Sequence, residues 1–185
     1  MQMATRTRRW RRADLAQLPD DGNRYEVLDG ELFVTPLPAR RHQSIVARLI
    51  RTLGPYCNRY GLGEALGPGA VVWLKNELQP DLSVIPDWDD SVDDVKWEES
   101  PLPVLVGEVL SDSTSRRDLG KKRDAYERLR IHNYWVIDRE QRRALIWTSL
   151  WGEPTIVTDT IRWQPRSDIP ALEIPLDAVL GPRPR

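Results

Sequence analysis

The alternation of apolar and polar residues changes period several times along the chain, and each change marks an element. Residues 25–28 and 31–35 read as two short strands separated by Asp29-Gly30. Asp-Gly between such runs signals a tight hairpin, because a type I′ turn needs positive φ at both central residues. From Ile45 the period becomes helical. Ile45, Leu49, Leu53, Tyr56 and Tyr60 recur at steps of three and four, which predicts a helix of about four turns with one buried face. Gly61 and Gly63 end it. Strands are predicted over 64–66, 70–74 and 82–85, the last entered through Pro80, whose missing N–H suits the start or edge of a strand. Residues 87–99 form a polar loop. The run 104–110 is almost continuously apolar, as expected of a central strand covered on both faces. A helix over 115–130 and strands over 134–137 and 144–148 follow, then short strands and turns punctuated by proline. With a short helix over 14–18 ahead of the hairpin, this order predicts an α/β domain: a mixed β-sheet flanked by helices, with an N-terminal β-hairpin.

Composition narrows the class. The chain has 185 residues, enough for one self-supporting core; residues 1–12 read as a basic tail and 13–185 as a single domain. The tail, MQMATRTRRWRR, has no apolar stretch after its charges and so does not read as a secretory signal. It reads as solvated, with phosphate contact as the sharper alternative. Formal net charge is -1, which by itself points to neither a nucleic acid nor a membrane. No apolar run approaches the ~18 residues of a membrane span. Cys57 is the only cysteine, which excludes an intrachain disulfide and a Cys-based zinc site and fits a reducing, cytoplasmic setting.

Three residues conflict with a plain core. Glu108 sits in VLVGEVLS, whose neighbours all favour burial. An unpaired carboxylate there costs several kcal/mol, so it is neutralised, ion-paired or metal-bound, unless the strand has already opened to solvent after Gly107. Asp81 follows Pro80 and precedes Leu-Ser-Val-Ile, at the start of a strand expected near Glu108; a turn aspartate capping backbone amides is its plain alternative. On the helix over 115–130, Leu119, Lys122, Tyr126 and Leu129 share one face, whereas Lys121 falls with Asp118 and Arg128 on the outer one. A lysine within an apolar stripe must snorkel or meet an anion. Two carboxylates and a lysine at one spot suit Mg²⁺, which is held by one or two carboxylates plus water and phosphate. Such an ion activates water and offsets phosphodiester charge, while the lysine orients the water or stabilises the pentavalent state.

The strings QPDLSVIPD, PVLVGEVLSDST and RRDLGKKRDAYERLRIHNYWVIDRE, in that order, resemble the Uma-type restriction endonucleases of the PD-(D/E)XK superfamily. The resemblance extends over most of the chain, including RYEVLDGELFVTPLPARRHQ. It implies a restriction-endonuclease-like mixed sheet with helices on both sides, and DNA phosphodiester cleavage dependent on Mg²⁺ or Mn²⁺. At the matching positions Asp81 and Glu108 are the two metal-binding acids. Leu110 stands where the superfamily pattern has lysine, and the resemblance moves the basic role to Lys122, four residues before Tyr126. Glu31 resembles an additional acid that some members contribute to the metal; a solvent-facing residue on an amphipathic strand is the equal alternative. His42, beside Arg40 and Arg41, matches a histidine frequent in the family, a phosphate contact or a support for Glu31, against a merely solvated histidine.

The acidic run Asp87, Asp89, Asp90, Asp93, Asp94, Glu98 and Glu99 lacks the glycine of a calcium loop and reads as solvated. It concentrates negative charge away from Arg116, Arg117, Lys121, Arg123, Arg128 and Arg130, so the helix after Glu108 is expected to offer a positive face to a phosphate backbone. Arg116, Arg117 and Arg123 are its candidate DNA contacts. A homodimer suits an enzyme that cuts two strands. Of the eight tryptophans, Trp135 reads as core, whereas Trp88, Trp97 and Trp151 lie in polar contexts that suit base stacking or a protein interface. Ser111 and Ser113 lack the surroundings of a nucleophile elbow; His132 and Cys57 have no evident chemistry. Two other functions stay open: a nuclease-fold module that has lost catalysis, which Leu110 and the near-neutral charge favour, and a hydrolase of small phosphodiesters. Loss of the three arginines separates the latter from a DNA enzyme, because only the DNA enzyme loses salt-dependent affinity.

Overall fold

The computed structural model describes residues 8–86, 95–111, 117–148 and 152–182. The chain opens with a one-turn helix, α1 (Arg12–Leu15), and the hairpin β1 (Arg24–Leu28) and β2 (Glu31–Thr35). Asp29 and Gly30 have φ of 52° and 90°, the positive values that a tight two-residue turn requires. Arg8–Trp10 and Arg12 are not loose. Trp10 N–H donates to the Gly30 carbonyl and Arg12 N–H to that of Lys75, so ordered contacts begin before the end of the segment assigned to the tail.

The long helix α2 (Arg40–Tyr60) runs 21 residues, longer than its apolar stripe suggests because its first turn is polar. Its buried face carries Ile45, Leu49, Leu53 and Tyr56, and Gly61 ends it at φ 60° in the left-handed conformation. Then come β3 (Glu64–Leu66), β4 (Val71–Trp73), β5 (Asn76–Leu78), β6 (Leu82–Ile85) and β7 (Leu105–Val109). A π-helical turn, Asp118–Lys122, leads into α3 (Arg123–Arg128), followed by β8 (Tyr134–Asp138), β9 (Arg143–Trp147) and β10 (Thr155–Val157). The final pair, β11 (Thr160–Trp163) and β12 (Leu172–Pro175), leads into a short helix, α4 (Leu176–Leu180). The periodicity gave no sign of β5 or α4, each too short to show a period.

The strands build a mixed six-stranded sheet in the order β10-β9-β8-β7-β6-β3 and a four-stranded sheet in the order β2-β1-β5-β4. In the first, only β7 and β8 are parallel, joined across the π turn and α3. Two cores sandwich it. Leu105 and Val109 pack with α2, Trp135, Trp163 and the β12–α4 end. Val106 and Leu110 pack on the other face with Tyr126, Tyr134, and Leu28, Val71 and Leu78 of the four-stranded sheet. Strand alternation therefore sends Glu108 toward the second core, between α3 and the hairpin. Among the described residues no helix is long and apolar enough to cross a membrane.

Candidate active site

β6 and β7 pair antiparallel with Leu82 opposite Gly107. Asp81, one step further along the ladder, therefore stands opposite Glu108 on the same face. Like charges directly opposite destabilise a sheet, and these two are 4% and 2% exposed. Their neighbours supply the compensation. Arg24 Nη1 lies 2.9 Å from Asp81 Oδ1, and His42 Nε2 lies 2.9 Å from Oδ2; the Val109 N–H also donates to Oδ2, at 2.8 Å. Burial alone would raise the Asp81 pKa, but the His42 hydrogen bond and the Arg24 charge outweigh it and take it to about 2.

Glu108 is held differently. Lys122 Nζ and the Tyr126 hydroxyl both donate to its Oε1, at 2.8 and 3.4 Å. Desolvation pushes its pKa well up; Lys122 opposes this, but the negative charges of Asp118, Asp81 and Glu26 reinforce it. Lys122 itself is fully buried. It lies 2.8 Å from Glu26 as well as from Glu108, and 3.9 Å from Asp118. Desolvation would lower its pKa, yet these carboxylates win and raise it, so the amine is a cation.

Glu26 and Asp118 are therefore part of the cluster, although the sequence reading passed over the first and assigned the second to solvent. Both are almost completely buried. Glu26 accepts the Gln79 N–H at 2.7 Å and pairs with Arg117 at 3.4 Å. On β1, Arg24, Glu26 and Leu28 share one face and Tyr25 and Val27 the other; both faces carry apolar residues, so the strand pattern alone does not assign Glu26 to the interior. Asp118 stands four residues before Lys122, a spacing that shares a face in an α-helix too; the wider π turn rotates Leu119 out, to 37% exposure. Leu119 thus does not share the buried face of Lys122 and Tyr126.

The other candidates separate. Glu31 stands at the turn end of the hairpin, four residues, or about 13 Å, from Thr35 at the open end. It is exposed and pairs with Lys121 at 2.5 Å, outside the cluster. His42 is buried against Asp81 rather than supporting Glu31. The open basic face expected on α3 is not present among the described residues. Arg117 is folded over Phe33 and engaged by Glu26, Asp118 and Thr35. Arg123 pairs with Asp124 and Glu127, and Arg128 with Asp29. Arg116, Ser113, Trp88 and Trp151 lie outside the described residues, as does most of the acidic run. Trp97 lies against Gly69, where an added Cβ would come within 2.9 Å of its ring, and is partly buried.

The cluster opens to solvent through a pocket of about 140 Å³ lined by Arg24, His42, Asp81, Glu108, Ser111, Arg117, Asp118 and Arg139, with Thr35 to Ala39 along one side. It lies where β7 and β8 end, the carboxyl edge at which parallel strands commonly bind ligands. Lys122 and Glu26 are not on its wall. Leu110, at the position of the expected lysine, is packed into the second core two residues beyond Glu108.

Residues 12–177 match the model of the Uma2 family, described as "Putative restriction endonuclease". The chain belongs to the Uma2 family. A solved structure of similar fold is that of "a putative nuclease belonging to DUF820 from Anabaena variabilis ATCC 29413", with TM-score 0.74 over 91% of this chain and 96% of that one. At 14% identity that likeness concerns the fold. No curated protein matches the chain. Membership in Uma2 and this neighbour agree with the restriction-endonuclease-like mixed sheet expected from the motif order.

Proposed function

We propose that this Uma2 chain is a divalent-metal-dependent endonuclease that hydrolyses DNA phosphodiester bonds at the Asp81–Glu108 pocket. The observation that carries this reading is the pair of carboxylates, Asp81 and Glu108, facing each other across β6 and β7 on the wall of a solvent-connected pocket. Burial and the neighbouring carboxylates raise the Glu108 pKa, and a divalent cation between the two acids would offset the repulsion behind that rise. Two carboxylates at facing strand positions are the hard oxygen donors that Mg²⁺ or Mn²⁺ takes. Among the described residues no group of three His, Cys, Asp or Glu side chains is arranged to hold a metal. Any such ion would depend on water and phosphate oxygens for its remaining ligands, as is usual for Mg²⁺.

A bound Mg²⁺ supplies Lewis acidity, lowering the pKa of its water and offsetting phosphate charge. Hydrolysis then adds water across one P–O ester bond; the water oxygen bonds to phosphorus and its proton ends on the leaving oxygen. Asp81 and Glu108 would hold the cation. Lys122 is a positioning residue: it favours the ionised form of Glu108 and fixes its Oε1. His42 fixes Asp81. For the DNA path, support comes from Arg40 and Arg41 at the start of α2, beside the pocket residue Ala39; neither has an ion pair among the described residues. A homodimer would bring two such pockets to one duplex.

The test is cleavage of supercoiled plasmid by purified protein with Mg²⁺ or Mn²⁺, alongside chelator, Asp81→Asn and Glu108→Gln. Metal-dependent cutting that both variants abolish is expected. Cutting that survives chelation or both substitutions rules out this site. Heat on titration with Mn²⁺ but no cutting would instead identify a metal-binding module without catalysis.

A further inference from the structure

The fully buried Lys122 has no route to substrate. Its ammonium is enclosed by Glu26 and Glu108 at 2.8 Å each, with Asp118 at 3.9 Å, and it is absent from the pocket wall. Some other group must meet the phosphate oxygen on which charge builds during attack. Arg117 borders the pocket but is held by Thr35, Glu26 and Asp118. Arg139 borders it too, but its Nε faces Glu140 at 3.0 Å. Arg24 also borders it, next to both acids. Both of its described hydrogen bonds leave from Nη1, to Asp81 Oδ1 at 2.9 Å and to the Gln79 carbonyl at 3.2 Å. Its Nε is buried and has no hydrogen-bond partner among the described residues. The Nε/Nη2 edge of a guanidinium presents two parallel N–H groups, the pattern that grips a phosphate with two hydrogen bonds. A buried donor without an acceptor is costly, and the Arg24 side chain lines a pocket that the proposed reaction fills with an oxyanion.

We infer that Arg24 is the substrate-contacting cation of the site, its Nε/Nη2 edge binding a non-bridging oxygen of the scissile phosphodiester while its Nη1 stays on Asp81. The inference rests on the endonuclease reading above and adds a catalytic residue to it. Arg24 transfers no proton, since guanidinium stays charged throughout the working pH range. It acts by stabilising the dianionic transition state, from a position that Asp81 and Gln79 have already fixed. The arrangement also explains how a chain with Leu110 at the usual lysine position retains a cation at the phosphate.

The deciding variant is Arg24→Lys, which keeps a charge beside Asp81 but lacks the planar fork. Duplex oligonucleotide cleavage with Mn²⁺ is measured together with Mn²⁺ affinity by calorimetry and the thermal midpoint. We expect kcat to fall about 100-fold, as on loss of one transition-state donor, with KM, Mn²⁺ affinity and midpoint within about twofold or a few degrees of the parent. A kcat within about threefold of the parent overturns the assignment, and so does a loss matched by lost Mn²⁺ affinity or folding, which a structural ion pair would produce. Parent protein that does not cut at all defeats the endonuclease reading first and this inference with it. If R24K fails to fold, the parent is titrated in Ca²⁺ with a phosphorothioate-linked oligonucleotide while the Arg24 Nε–H resonance is followed by NMR. A shift supports the contact, and an unmoved resonance refutes it.

Discussion

Replacing Lys122 with methionine removes the ammonium while keeping a similar volume in the wall between α3 and β7. What remains is two carboxylates, Glu26 and Glu108, at 0% and 2% exposure, that have lost a partner 2.8 Å from each. Breaking a buried pair by deleting one member costs about 3–5 kcal/mol, because the other charge stays desolvated. In a domain of this size each kcal/mol lowers the midpoint by about 2–4 °C, so a drop of roughly 10 °C is expected. The pH dependence identifies the cause. In the parent, burial raises the Glu26 pKa but Lys122 and Arg117 outweigh it and hold it below the ordinary value. Without Lys122, desolvation prevails and the folded-state pKa rises above the unfolded one, near 4.3. The folded variant then binds more protons than the unfolded chain, so its stability falls as pH rises and recovers as pH falls. Urea denaturation at pH 7.5 and pH 5.5 reads this out. The gap to the parent should narrow at the lower pH by about 1–2 kcal/mol, and adding Glu26→Gln should restore part of it at pH 7.5. A gap below about 1 kcal/mol, typical of an exposed pair, or one that ignores pH, would refute the buried-cluster reasoning.

Other outcomes follow from the same contacts. Glu31→Gln should cut DNA like the parent, since among the described residues Glu31 pairs with Lys121 alone, at the far end of the hairpin, whereas Glu26→Gln should lower cleavage at least tenfold by releasing Lys122; equal effects in the plasmid assay would contradict the placement of Glu26, and not Glu31, in the cluster. Because Asp81 has its pKa depressed to about 2, its contribution of about 2 kcal/mol is present above about pH 4 and is lost as pH falls toward 2. Asp81→Asn should therefore flatten the acid limb of stability between pH 5 and 2.5, and an unchanged limb would show that other groups cause it. Burial pushes the Cys57 thiol up to about 12, so a disulfide reagent should label it only on unfolding; labelling at the rate of a free thiol in native buffer would mean the α2 face opens. A Cβ at position 107 would stand 2.8 Å from Leu82 Cγ, so Gly107→Ala should push β6 beside Asp81 and cost about 1–3 kcal/mol in a denaturant titration.

The sequence by itself determined whatever is encoded within a single element. Asp29-Gly30 set the hairpin, the stripe from Ile45 to Tyr60 set α2, and the apolar run around Glu108 set a covered central strand; in each, local backbone preference and burial period point the same way. It also marked Asp81, Glu108 and Lys122, because each is a charge inside an apolar pattern. Only the tertiary structure decided which partners those charges have. The π turn shifted the phase of the helix by enough to expose Leu119, a change that no fixed period anticipates. The stacking of the hairpin over β7 brought Glu26 and Arg24 to the cluster and left Glu31 at the distant end, and nothing within five residues of strand distinguishes those fates. The basic helix became neutral for the same reason, since Asp29, Glu31 and Glu26 reach its arginines and lysine across the fold. Burial is written in the local pattern of side chains, but electrostatic pairing depends on distances of a few ångströms between segments far apart in the chain, and those exist only once it has folded.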